Sequence, residues 1–73
     1  MKLKKSNFKA RVEIDKTITE YTHKNYIITA VKSYSENTFK IYTHWSVKNT
    51  MTLKNYGCRN FEEALEMINL GDL

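Results

Sequence analysis

From Phe8 to Glu13 the chain alternates. Phe8, Ala10 and Val12 take one side, with Ile14 continuing it, while Lys9, Arg11 and Glu13 take the other. A period of two predicts a half-buried strand. Asp15-Lys16 suits a turn or bulge. Thr17 to Thr22, with Ile18 and Tyr21, is either a second short strand or a continuation of the first. Tyr26 to Tyr34 is rich in β-branched and aromatic residues and predicts another strand. Thr38 to Val47 predicts the next, with Phe39, Ile41, Trp45 and Val47 on one face and Lys40, Tyr42, His44 and Ser46 on the other. Met51 and Leu53 alternate with Thr50, Thr52 and Lys54, which extends the pattern to a further strand ending before Tyr56-Gly57.

The turn between the two long strands decides which faces match. A two-residue loop, Ser35-Glu36, sets Tyr26, Ile28 and Ala30 beside Phe39, Ile41 and Trp45. A three-residue loop, Ser35-Glu36-Asn37, pairs Ile27 with Trp45 and Val31 with Ile41. One residue of slip exchanges every side chain between core and solvent. The three-residue loop is the favoured expectation, because Asn37 tolerates a left-handed backbone at its last position.

The period changes near the C-terminus. Phe61, Ala64, Leu65 and Ile68 recur at i, i+3, i+4 and i+7, the apolar stripe of a helix. Asn60 suits an N-cap with Glu63 three residues on, and Gly71 suits the stop. The expected fold class is α+β. It is an antiparallel β-meander of three to four strands, or five if residues 17–22 form their own. One C-terminal helix packs on the face made by Ile27, Val31, Phe39, Ile41 and Trp45. Residues 1–73 make a single small domain, and the lysine-rich residues 1–6 are expected to be a flexible basic arm.

Charge sharpens this picture. All twelve Lys and Arg lie in residues 1–59 with only four acids, a net +8, whereas residues 60–73 carry four acids and no base. Early helical carboxylates suit the helix dipole and need no partner. The strand region's surplus does call for one. In the favoured register Tyr26, Lys32, Tyr34, Lys40, Tyr42 and His44 share the solvent face, joined by Lys9, Arg11 and Lys54 from flanking strands. Lysines neutralise phosphates and tyrosine rings stack on bases, so this face is a candidate nucleic-acid or partner-binding surface. The scarcity of arginine weighs against it, since Arg11 and Arg59 are the only two. An ordinary solubilising face has the same composition.

Other chemistry is sparse. His23 and His44 have no ligand spacing around them, so no metal is expected, and no cofactor motif is present. Cys58, the single cysteine, sits just before the helix, a place that can lower a thiol pKa. Without a base it reads as a half-buried structural residue. Trp45 reads as core. Met67, Leu70 and Leu73 lie beside or beyond the helical stripe and form a candidate protein interface. No paired carboxylates or phosphate-binding glycine loop occur, so an enzyme is not expected. One thiol and no long apolar run point to a cytoplasmic protein with no membrane partner.

The order of elements, ending in a helix that begins Asn-Phe-Glu-Glu-Ala at residues 60–64, is similar to small sheet-plus-helix DNA-binding modules such as the AP2-like and arm-type domains of phage and transposon integrases. The similarity spans about residues 24–70 and implies a DNA-binding module. Two expectations follow. One is a small protein that binds DNA or RNA through the basic, tyrosine-rich sheet face. The other is a phage or mobile-element inhibitor or adaptor that binds an acidic or nucleic-acid-binding surface of a host protein, of the anti-restriction or anti-CRISPR type. Lys, Asn, Ile and Tyr usage of this kind is common in phages. A homodimer paired through an exposed strand edge is a third expectation.

Overall fold

The computed structural model describes residues 2–13 and 17–73. The expectations at Ile14 and Asp15-Lys16 lie outside the described residues. The fold is a five-stranded antiparallel meander with one helix on it. Strands β1 (Lys9–Glu13), β2 (Ile18–His23), β3 (Tyr26–Ser35), β4 (Lys40–Asn49) and β5 (Asn55–Cys58) are followed by helix α1 (Phe61–Asn69). Spatial order is the chain order, β1-β2-β3-β4-β5. Thr17 to Thr22 therefore contributes a strand of its own, not an extension of β1.

The register differs from the favoured expectation, and the turn is the reason. Ser35 pairs with Lys40, Tyr34 with Ile41, Ala30 with Trp45 and Ile28 with Val47. The loop is thus four residues, Glu36 to Phe39. Phe39, not Asn37, takes the left-handed backbone, with φ 53°. Lengthening the loop by one residue exchanges the two faces of β3 relative to β4. Ile28 and Val47 are fully buried beneath α1 and Ala30 is nearly so, while Ile27 and Val31 turn to the open face. Ile41 does share the helix side with Trp45, but it lies beyond the helix's reach and is 69% exposed. Phe39 lies in the turn and is 79% exposed, so neither belongs to the core.

The expected strand through Met51 and Leu53 is a loop. Asn49 gathers it. Its Oδ1 accepts the amides of Met51 (2.9 Å) and Thr52 (3.3 Å), and the Leu53 amide donates to the Asn49 carbonyl. Leu53 is left-handed at φ 62°, which breaks the alternation, and Met51 and Leu53 are exposed. Pairing resumes one step later, with Val47 opposite Tyr56 and Trp45 opposite Cys58.

Helix α1 forms as its stripe dictates. The Asn60 side chain accepts the Glu63 amide at 2.8 Å. Phe61, Ala64 and Ile68 are buried against the sheet. At the other end Gly71 is left-handed, its amide reaches Ile68 and the Asp72 amide reaches Met67, the two bonds of a Schellman stop. Phe61 is the aromatic hub. Its ring lies 5.6 Å from Phe8, 4.8 Å from Tyr21 and 6.1 Å from Trp45, edge-on to each.

Residues 2–8 lie against the body of the fold. The Leu3 amide donates to Asn69 Oδ1 at 2.7 Å and Asn69 Nδ2 returns a bond to the Leu3 carbonyl. A short 3-10 turn (Lys5–Asn7) then seats Phe8 in the core. Lys5 Nζ lies 5.4 Å from the Phe61 ring centre and 5.6 Å from that of Tyr21. The segment is tied across the helix by apolar and polar contacts together.

Candidate binding surface

The helix covers only part of the sheet. It starts beside Tyr21 and Trp45 and runs toward Tyr26 and Asn49, where the Asn49 Nδ2 donates to the Leu73 carbonyl. Past Tyr21 and Trp45, nothing described lies over the sheet. Flanking strands stop as well. Strand β2 reaches Val31 of β3, with a last bond from the Lys32 amide to the Thr17 carbonyl. Strand β5 reaches only Trp45 of β4. Residues 32–43 therefore continue as a two-stranded finger. Its four residue pairs add about 14 Å beyond the body, at roughly 3.4 Å per residue, with the turn at the tip. The fold is accordingly elongated, 42 Å by about 20 Å in the other two directions.

This finger exposes a large apolar or aromatic side chain on each face and at its tip. Tyr34 and Ile41 pair across it on the helix side, 60% and 69% exposed. Tyr42 lies on the open side, 51% exposed, its hydroxyl 3.2 Å from Thr38 Oγ1. Phe39 occupies the tip. Lys32 and Lys40 flank these residues on opposite faces, and Glu36 is the finger's one acid.

The proposed basic face is only partly assembled. Lys9, Arg11, Lys40, Tyr42 and His44 do share the open face, and Lys48, which the sequence reading passed over, joins them. Tyr26, Lys32 and Tyr34 do not, because the four-residue turn moves them to the helix side. Tyr26 packs against the core there. Lys54 sits in the β4–β5 loop, outside any strand. Two carboxylates also occupy the open face. Glu13 lies 3.1 Å from Arg11, and Glu20 stands opposite Arg11 in the register. Among the described residues this face holds four cations and two acids, a surplus of only two. The helix carboxylates neutralise little of the remainder. Among the described residues Glu63 approaches one base, Arg59, at 3.8 Å, and such an exposed pair contributes little.

Met67 and Leu73 pack against the core, so of the C-terminal apolar trio only Leu70 is broadly exposed. His23 is engaged. Its Nδ1 donates to the Asn7 carbonyl at 2.9 Å and its ring tilts against Phe8. His44 is exposed beside Gly57. No group of three His, Cys, Asp or Glu that could hold a metal occurs among the described residues. Among the described residues no helix is long and apolar enough to cross a membrane.

Cys58 departs from the helix-start expectation. Burial first, then the nearby Glu63 carboxylate, push its thiol above the ordinary value. Replacing Glu63 by Gln removes the repulsion and should raise the alkylation rate of Cys58 by iodoacetamide at pH 7.5 by about twofold, since only the thiolate reacts. An unchanged or slower rate would show that the carboxylate does not reach the sulfur.

The sequence reading missed Phe39, Ile41 and Thr43 as surface residues. The signal was the four consecutive polar residues Ser35-Glu36-Asn37-Thr38, a run long enough for a full loop. Compared with known protein families, curated proteins and solved structures, the chain matches none of them.

Proposed function

We propose that this chain is a small non-enzymatic binding protein whose working surface is the β3–β4 finger, and that its partner is a protein. The observation that carries this is the exposure of Tyr34, Phe39, Ile41 and Tyr42 on a two-stranded projection. Apolar side chains are usually the first to be tucked away in a 73-residue domain with a limited core. Four of them together on one projection supply the kind of aromatic anchor that dominates protein interfaces. The two carboxylates on the open face support the same choice, because they halve the positive surplus that a phosphate-tracking surface needs. An inhibitor or adaptor acting on a host protein fits this reading.

The triple substitution Tyr34→Ser, Phe39→Ser, Ile41→Ser tests it. These side chains lie outside the core, so the urea midpoint should move little. Capture of a protein from nuclease-treated bacterial lysate should be lost with the triple variant and retained with the native chain. Equal capture by both would sink the reading.

Nucleic-acid binding is the second reading, favoured by Lys9, Arg11, Lys40 and Lys48 beside Tyr42 and His44 on the open face. Four phosphate contacts imply that raising salt from about 50 to about 200 mM weakens binding roughly 10²-fold. Titration of labelled single- and double-stranded DNA at those two concentrations, with Lys40→Glu as control, separates the readings. Tight, salt-steep binding that Lys40→Glu abolishes would favour nucleic acid over a protein partner.

A further inference from the structure

We propose that the free edge of β4 between Lys40 and His44 accepts an extended strand from the partner, one that alternates apolar and acidic residues. This rests on the finger being the binding surface and adds how the partner is held.

Two hydrogen bonds fix which backbone groups face outward. The Asn49 amide donates to the Lys54 carbonyl at 2.9 Å, so Asn49 points to the β5 side. Residues in an antiparallel strand alternate between their two neighbours. With an unbroken register along β4, Val47, Trp45, Thr43 and Ile41 share that direction, while Lys40, Tyr42 and His44 point to β3. The other flank agrees. The Lys32 amide turns away from β4 toward Thr17, which makes its pair with Thr43 a non-hydrogen-bonded one. Strand β5 satisfies Trp45 and Val47 but ends at Cys58. Among the described residues the amides and carbonyls of Ile41 and Thr43 are left as two donors and two acceptors on an open edge, the arrangement used for strand addition.

Side chains set the occupant's chemistry. On the helix side an incoming residue meets Ile41 and Tyr34, which favours an apolar side chain. On the open side it meets Lys40, Tyr42 and His44. Strand β4 contains no acid, and Lys54, just before β5, adds positive charge near the same side of the sheet. Charge complementarity therefore asks for Asp or Glu at alternate positions. A second copy of this chain is a poor fit. Pairing β4 with itself about Tyr42 sets Lys40 against His44 and gives neither lysine a carboxylate.

The test uses two capped eight-residue peptides, one alternating Glu and Val, the other Lys and Val, with the full chain. Amide hydrogen exchange is read by NMR. The Glu peptide should slow exchange of the Ile41 and Thr43 amides at least tenfold (about tenfold per 1.4 kcal/mol), and the Lys peptide should not. Thr43→Pro removes one outward N–H and no bond to β3, a tolerated edge position. It should weaken Glu-peptide binding about tenfold or more, whereas Thr43→Val should not. No binding of the Glu peptide at millimolar concentration overturns the proposal. So does self-association in sedimentation that Thr43→Pro abolishes, which would make a second copy the occupant. If the Tyr34, Phe39 and Ile41 triple variant loses protein capture while Thr43→Pro keeps it, the finger reading stands and strand addition falls. If neither variant alters capture, both fall.

Discussion

Phe61→Ala is expected to leave most of the chain unfolded at 37 °C. The ring is 4% exposed and joins three parts of the molecule, since Phe8, Tyr21 and Trp45 all meet it edge-on. Removing a buried Phe costs about 3–5 kcal/mol through lost transfer energy and the cavity left behind. A chain of 73 residues has a total of about 4–11 kcal/mol at the usual yield per residue. At the lower end of that range the loss equals the whole, and that is the case expected for so small a core. Three aromatic partners losing their contact at once argue for the upper end, as does Lys5, whose ammonium rests over the same ring. Urea unfolding followed by Trp45 fluorescence measures it. A midpoint within about 0.5 M of the native chain's, at a common slope near 1 kcal/mol/M, would mean that the core closes without the hub.

The second large effect is expected at Asn49. This residue is 4% exposed and every polar atom of its side chain is used. Its Oδ1 accepts from Met51, Thr52 and Asn25, and its Nδ2 donates to Leu73 at the chain's end. Asn49→Ala takes four bonds away together. The Met51 and Thr52 amides lie in an exposed loop and can turn to water, so the cost is about 2 kcal/mol and not the full sum. The pattern of the damage is specific. Amide exchange should accelerate in residues 50–54, at the β2–β3 turn and at the C-terminus, and hold in β1. Uniform acceleration would instead mean that Asn49 acts through global stability alone.

Most of the fold was legible. The Phe61, Ala64 and Ile68 stripe, the Asn60 cap and the Gly71 stop are all local, and a helix with those signals has little choice. The existence of β1, β3 and β4 was legible from their own alternation or β-rich composition. Register was not, because it depends on one loop. Ser35, Glu36, Asn37 and Thr38 fit a three- or a four-residue connection about equally well. The outcome turned on Phe39, a residue whose apolar ring argues for a strand while its backbone closes a turn. The loop at Met51 and Leu53 misled similarly. Its alternation is real, but the Asn49 side chain, an acceptor invisible to a hydropathy pattern, captures the amides that a strand would have paired. The candidate surface inherited the register error. Lys9, Arg11, Lys40, Tyr42 and His44 survived on the open face, while Phe39 and Ile41, the finger's tip and one of its exposed faces, were read as core. Whether a flanking strand ends level with its neighbour is a tertiary fact that no local pattern states.

Under the proposed finger reading, Phe39 sets stability and recognition against each other at one position. An aromatic residue held at φ 53° carries backbone strain that Gly or Asn would relieve. Either replacement takes the ring off the tip. A search for more stable versions of this protein would select such a change early, and each success would come with a blunter finger. The strain at the turn is thus the cost of keeping an apolar group at the point farthest from the core.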